Sequence, residues 1–434
     1  MMYISSTRAA ASPQRAISAR VTWLCWFALF AEGYDMGALG AVMPGLLSDR
    51  AWHLTPATAG LLGSAALVGM FFGAYLFGTV SDRSGRKRCL LICLALFSLA
   101  SGCAAVAPTP TWFAVFRCIS GLGIGGVVPV AAALTSEFAP PGQQNRQFAL
   151  MYSGYSLGIL GSAIASFLLL QSHGWRLVIG LGVLPVLLLP LIARLLPESV
   201  IYLRSCGREA EAAATAARFG IELPETIPTG QCPATNSARG LKALFASGVR
   251  RATIGFWIAT FAAMVLVYGL NTWLPQIMRS AGYDLGPSIL FLGVFALASS
   301  AGGIVLGFFA DRVGRSRTIT AAFLMGALAI LSLAHAWPLT LTYSVVALAG
   351  IGSVSAAVMV TSYLASYFPP TLRATAVGCC LSFSRFGAVS GPMLGGLIAS
   401  YKLHFEWNFV AFSSAALMAA AAILLVPTRG PMET

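Results

Sequence analysis

Charge is what this sequence has least of. Only 9% of its 434 residues are Asp, Glu, Lys or Arg, against roughly a quarter in soluble domains, which excludes an ordinary water-soluble globule. Histidine is scarce too. His53, His173, His335 and His404 are all there are, and each is expected at an outside loop. No His/Cys spacing suits a metal, so no metal site is expected. The nine cysteines are odd in number. Most of them (Cys25, Cys89, Cys93, Cys103, Cys118, Cys379 and Cys380) sit in apolar runs, which argues against a disulfide framework. A membrane-embedded enzyme needs a nucleophile–base pair or metal ligands inside the bilayer, and neither is present. No catalytic residue and no cofactor are expected.

What is present is apolar surface. Hydrophobic residues make up 57% of the chain and the mean hydropathy is +0.80. The net charge of +13 fits the basic inner loops of a membrane protein better than a nucleic-acid partner. Segments of about 20 apolar residues, the length that spans a bilayer, recur along the chain. They cover 21–47, 57–80, 87–107, 111–138, 146–171 and 175–196, then 251–279, 286–310, 316–336, 338–367, 372–400 and 405–427. The expected fold is an all-α integral membrane protein with twelve transmembrane helices in two pseudo-symmetric six-helix bundles, residues 1–197 and 251–434.

Residues 198–250 read as a cytoplasmic linker. They hold Arg204, Arg208, Glu209, Glu211, Glu222 and Glu225 and a Pro/Thr/Gly-rich piece, Pro224 to Asn236, with a short amphipathic helix expected over Glu209 to Phe219. Met1 to Arg20 is a short basic tail, and the apolar run after it is too long for a cleaved signal peptide. With the N-terminus inside, Arg50, Arg176, Arg279 and Lys402 fall outside, and Arg117 and Arg385 fall in the membrane. That leaves 21 of the 27 basic residues inside. Both termini are therefore expected in the cytoplasm of a multi-pass inner-membrane protein.

Two carboxylates interrupt the first span, in Ala31-Glu32-Gly33-Tyr34-Asp35. Three residues apart, they project from one helix face. Charge in hydrocarbon is costly and marks an ion or substrate path, or else a structural ion pair. Arg117 opens a glycine-rich run, Arg117-Cys118-Ile119-Ser120-Gly121-Leu122-Gly123-Ile124-Gly125-Gly126. Asp35 lies ~21 Å above the inner end of its span and Arg117 ~9 Å below the outer end of its own. In a core of ~30 Å the two are level. Asp35, Glu32 and Arg117 are thus the expected proton-coupling set, with a permanent bridge as the simpler alternative. Arg385, in Ser384-Arg385-Phe386-Gly387-Ala388, has no acid at its depth. It is either an anchor for a substrate carboxylate or a structural Arg. Tyr34, Tyr268, Asn271 and Trp273 are candidate lining residues, although Tyr and Trp near helix ends also serve as interfacial anchors.

A repeat is the most specific signal. Gly78-Thr79-Val80-Ser81-Asp82-Arg83-Ser84-Gly85-Arg86-Lys87-Arg88 closes the second span, and Gly307-Phe308-Phe309-Ala310-Asp311-Arg312-Val313-Gly314-Arg315-Ser316-Arg317 closes the eighth. Gly85 and Gly314 permit a tight turn. Two copies six helices apart imply two equivalent halves. These loops resemble the gating motif of the major facilitator superfamily. The resemblance implies a cytoplasmic gate of Asp82, Arg83, Arg86, Asp311, Arg312 and Arg315. Glu137, at the inner end of the fourth span, is expected to pair with Arg83 or Arg86. Substrate in such proteins lies mid-membrane between the two bundles, in alternating access.

Further elements are similar to the aromatic acid:proton symporter family: the acid-Gly-aromatic-Asp element, Asn271-Thr272-Trp273-Leu274-Pro275, and Arg373-Ala374-Thr375-Ala376-Val377-Gly378 with Ser384-Arg385-Phe386-Gly387-Ala388. Ser153-Gly154-Tyr155-Ser156-Leu157-Gly158 and Trp52-His53-Leu54-Thr55 are similar to benzoate-type members. The resemblance implies proton-coupled uptake of an aromatic carboxylate such as benzoate or a hydroxybenzoate, in the service of aromatic catabolism, by a monomer in the lipid bilayer. Its expected functional set is Glu32, Asp35, Arg117, Glu137 and Arg385. Position 32 is Glu where the family pattern is more often Asp. Alternatives are a proton-coupled efflux antiporter of small hydrophobic compounds and a non-transporting aromatic-acid sensor. A sugar porter is suggested by Pro197-Glu198-Ser199, but that match is partial.

Overall fold

The computed structural model describes residues 4–140, 143–219, 244–246, 249–335, 337–368, 370–401 and 403–427, and the side chains within them except at 4–13, 79, 82, 145, 205, 370, 371, 373 and 374. Among these residues the regular structure is helical and no strand occurs. The helices are α1 (Ile4–Leu47), α2 (Pro56–Ser84), α3 (Arg86–Ala105), α4 (Pro110–Phe138), α5 (Gln144–Gly180), α6 (Pro185–Leu195), α7 (Val200–Ser205) and α8 (Glu209–Phe219). After the linker come α9 (Arg250–Ser280), α10 (Leu285–Val313), α11 (Arg315–Ser332), α12 (Leu339–Gly350), α13 (Ala356–Tyr367), α14 (Pro370–Ser400) and α15 (Glu406–Leu424).

Eight stretches among the described residues are long and apolar enough to cross a membrane. One of them, Arg146–Leu195, is 50 residues long and holds two passes, because Gly174 at φ 78° interrupts α5. α12, a π-turn at Ile351–Ser355 and α13 form a single pass. With α1, α11 and α14, which lie outside those eight, the twelve expected passes are all present as helices. The linker helix occupies Glu209–Phe219 as its charge pattern predicts. The stretch Pro224 to Asn236 lies outside the described residues. Within the basic tail, α1 is already helical from Ile4.

Helix ends follow local chemistry. Gly85 and Gly314 take φ values of 96° and 100°, where a Cβ would be strained, so both copies of the repeated loop make the same turn. Thr109 caps α4 by accepting from the Trp112 N–H at 3.4 Å, and Pro110 sits at the first helical position, where its missing N–H costs nothing.

The chain gathers into two compact units, Met1–Asp35 with Val68–Gly158 and Ile179–Gln231, and Met36–Leu67 with Ile159–Val178 and Cys232–Thr434. These units reflect packing, whereas the expected halves reflect the repeat, and the two divisions do not coincide. Within the first unit, α1 and α5 touch backbone to backbone. A Cβ on Gly33 would lie 2.0 Å from the Tyr155 carbonyl oxygen, and one on Gly158 would lie 2.1 Å from that of Phe30. Gly69 and Gly73 of α2 meet the carbonyls of Cys118 and Leu122 in α4 just as closely. Small residues at such crossings replace the hydrophobic drive that lipid removes.

In the second unit the segments of α1 and α2 nearest the 48–55 loop pack on α9 and α14. Gly40 lies against the Asn271 carbonyl, and Gly60 against that of Pro392. The Ser64 hydroxyl donates to the Val389 carbonyl at 2.7 Å. Beyond them, outside the spans, Asp49 accepts from Trp175 Nε1 and from the Ala51 N–H, both at 2.9 Å. Trp52 meets Trp175 edge-on at 4.8 Å, and the Arg176 guanidinium lies over both rings. Partial burial pushes the Asp49 carboxyl up, but the Trp175 and Ala51 donors and the Arg176 charge together hold it below its ordinary value.

Gly73→Val should therefore lower the unfolding temperature of the purified protein sharply, by the equivalent of about 3 kcal/mol or more. Gly303→Ala, with nothing within 4 Å of its Cβ, should leave it unchanged. The depressed Asp49 carboxyl adds stability that is complete above its unfolded value and lost as pH falls through the folded one. Thermal scans from pH 6 to pH 3 should show a smaller acid-induced loss in Asp49→Asn than in the wild type.

Candidate functional site

The first unit encloses an ion pair without access to water. Asp35 is 3% exposed and Arg117 is 1% exposed. Arg117 Nη1 donates to Asp35 Oδ2 at 2.6 Å. The expectation that the two residues are level is met by direct contact between α1 and α4. Ser120, one turn along α4, donates to the same oxygen at 3.3 Å. Ser101 of α3 donates to Oδ1. The carboxylate thus collects donors from two neighbouring helices, which is the condition for keeping charge in a low-dielectric interior. Arg117 Nε is buried with no partner among the described residues. Glu32 is 2% exposed, one turn before Asp35. Tyr34 is half-buried between them in sequence. Ser101 and Ser120 escaped the sequence reading. Ser120 stands one turn from Arg117, but nothing separates Ser101 from the other serines of its helix.

A second polar cluster joins the first repeated loop to the chain after α6. Arg86 Nη1 donates to Glu137 Oε2 at 2.6 Å. Of the two partners expected for Glu137, the structure brings Arg86. Glu137 also accepts from Ser199 Oγ at 2.6 Å and from the Ile201 N–H at 2.9 Å. Glu198 accepts from the Lys87 N–H at 3.0 Å, close to the N-terminus of α3, where a negative charge is favoured. The Arg83 carbonyl accepts from the Tyr202 hydroxyl at 3.3 Å. Pro197-Glu198-Ser199, set aside as a partial match, is therefore built into the loop. The Asp82 side chain lies outside the described residues.

The second loop keeps the turn but changes the chemistry. Arg315, at the position of Arg86, donates to the Ser366 hydroxyl. Ser366 stands where Glu137 stands when Pro140-Pro141 and Pro369-Pro370 are aligned. Asp311 and Arg312 are exposed and form no ion pair among the described residues.

The other candidates lie in the second unit. Arg385 is half-buried on α14 and has no hydrogen bond or ion pair to a described residue. Tyr268 is half-buried and Asn271 is 6% exposed, both on α9. Trp273 departs from its expected lining role. It is 1% exposed, donates from Nε1 to the Pro392 carbonyl at 2.8 Å, and packs on Gly395. Its large ring is spent holding α9 to α14. No group of His, Cys, Asp and Glu among the described residues is placed to hold a metal.

The sequence profile of the Major Facilitator Superfamily matches residues 25–346 and 257–434. The chain belongs to this superfamily. It is 32% identical over 419 residues to the benzoate transport protein of Acinetobacter baylyi, covering 94% of this chain and 90% of that one. It is also 32% identical over 402 residues to the gentisate transporter of Corynebacterium glutamicum, covering 92% and 85%. Among solved structures, the inward-open xylose transporter XylE from E. coli superposes with a TM-score of 0.76, at 17% identity, covering 95% of this chain and 97% of that one. At that identity the likeness speaks for the fold. The superfamily and the named relatives are carriers, not enzymes.

Removing one member of the buried pair strands the other. Arg117→Met alone should cost about 3–5 kcal/mol of stability. The double variant Asp35→Leu with Arg117→Met should recover most of that loss in a thermal unfolding assay. A double variant no more stable than the single would show that the pair is not the source of the effect.

Proposed function

We propose that this protein is a proton-coupled symporter that brings an aromatic carboxylate into the cell across the inner membrane by alternating access. The observation that carries the reading is the buried Asp35–Arg117 pair, in a chain similar to named benzoate and gentisate transporters. Protonation of Asp35 removes its charge and releases Arg117; deprotonation restores the bridge. Glu32 adds a second carboxylate to this proton path. Arg385 receives the substrate carboxylate, and Tyr34, Tyr268 and Asn271 stand along the path. The loops at Asp82–Arg86 and Asp311–Arg315, with Glu137, act as the inner gate. Both termini are cytoplasmic and the working unit is the monomer.

Electrostatics favours symport. An anion entering alone is opposed by an inside-negative potential at ~2.3 kcal/mol per charge per 100 mV. A proton travelling with it removes that term and adds the pH gradient. Neither the efflux antiporter nor the sensor reading is favoured by any contact among the described residues.

The test is uptake of labelled benzoate by cells expressing the protein, at pH 6 and pH 8, with and without a protonophore. Accumulation should be higher at pH 6, collapse with the protonophore, and fall at least tenfold in Asp35→Asn and in Arg385→Ala. Uptake indifferent to both treatments would rule out proton coupling. Competition by hydroxylated analogues ranks the ring substituents.

A further inference from the structure

Helices α3 and α6 run antiparallel within the first unit, and at one end small residues draw them together. A Cβ on Gly102 would lie 3.0 Å from Val183, just before α6, and one on Gly182 would lie 2.9 Å from that of Ser101. Ala95 lies seven residues before Gly102 and Pro190 seven after Val183, so helical rise makes Ala95 and Pro190 level. There a groove of about 360 Å³ opens between the helices, a volume within the range of small-molecule sites. Its walls are Arg88, Leu91, Ile92 and Ala95 of α3 and, across from them, Pro190 and Ala193 of α6. At steps of three and four these α3 positions form one stripe, continued by Leu99 and Gly102. Leu99, Leu187 and Leu191 beside the groove are exposed, as suits a surface that faces lipid.

Apart from Arg88 the lining is apolar. Arg88 is exposed and has no hydrogen bond or ion pair to a described residue. The same holds for Arg194, in the last turn of α6. Two acids of this end are engaged elsewhere. Glu137 takes Arg86, and Glu198 takes the backbone N–H groups of Lys87 and Ser199. α3 starts with Arg86-Lys87-Arg88 and then carries no charge as far as Ala105, which puts Arg88 at the border of the hydrocarbon. From there to Ala95 the groove runs ~10 Å, most of the ~15 Å depth of one leaflet. A narrow apolar channel of that length, with a free cation at its polar end, has the form of a lipid chain and its headgroup.

We propose that this groove holds an anionic phospholipid, with an acyl chain along Ala95 and Ala193, the phosphate on Arg88, and Arg194 adding to the field. Basic pockets between membrane helices select such headgroups. An occupied groove joins α3 to α6 beside the Arg86–Glu137 bond, so the lipid stabilises the folded unit by binding it. The site is separate from the Asp35 pair and stands whatever acid the protein carries.

Native mass spectrometry of the purified, delipidated full-length protein provides the test, by titration with dioleoylphosphatidylglycerol, dioleoylphosphatidylcholine and glycerol 3-phosphate. The first phosphatidylglycerol should bind about fivefold more tightly than phosphatidylcholine, the gain from one basic residue at an anionic headgroup, and glycerol 3-phosphate should not bind. Arg88→Gln should bring phosphatidylglycerol down to the level of phosphatidylcholine. Ala95→Phe, which fills the groove and leaves the charge in place, should weaken both lipids; if it fails to fold, Ala193→Leu does the same from the other wall. Equal binding of the two lipids by the wild type, or a preference that survives Arg88→Gln, would overturn the headgroup assignment. Lipid binding indifferent to both groove-filling variants would overturn the groove. Glycerol 3-phosphate binding as tightly as the lipid would reduce the site to a free-anion site, and a dimer lost in Ala95→Phe would give the groove to a second copy; either result overturns the proposal.

Discussion

A carboxylate and a guanidinium can remain in a membrane interior only by neutralising one another and filling their remaining bonding positions. Asp35 and Arg117 do this with help from Ser101 and Ser120, and the requirement shapes the first unit. The pair sits on α1 and α4, and its hydroxyl donors come from α3 and α4. Those helices must approach closely enough for short side chains to reach. Gly123 and Gly126 of α4, set against Cys93 and Phe97 of α3, provide that approach. The glycine run after Arg117 is part of the same construction as the ion pair.

Tight helix contact is equally the means by which the second unit closes. There the meeting surfaces are backbone: glycines of α1, α2 and α14 against carbonyls of α9 and α14. Van der Waals contact of this kind is sensitive to distance and carries no charge. It can be made and released without desolvating an ion. The buried and half-buried ion pairs lie in the first unit, at Arg86–Glu137 and in the Asp35 cluster.

The features legible in the sequence were those written in spacing and in charge. Twelve apolar runs gave twelve helical passes, the Gly85 and Gly314 loops announced the repeat, and helical rise alone put Asp35 level with Arg117. What escaped depends on which neighbour a residue meets. Nothing local distinguishes Ser101 from Ser98. Trp273 carried the right chemistry for a lining residue, yet Gly395 opens a slot that draws its ring into the packing. The repeat itself concealed a difference: the turn is duplicated, but Arg86 meets a carboxylate where Arg315 meets a neutral hydroxyl.

Pro275 lies inside α9 and has no N–H to offer the carbonyl four residues earlier, at Asn271. Gly40 rests against that same carbonyl oxygen, with its absent Cβ leaving room for the approach. In mechanical terms α9 is two rods joined at a notch. Bending at Asn271–Pro275 meets one backbone hydrogen bond fewer than bending elsewhere along its length. The most compliant point of the helix is thus the point on which a neighbouring backbone presses.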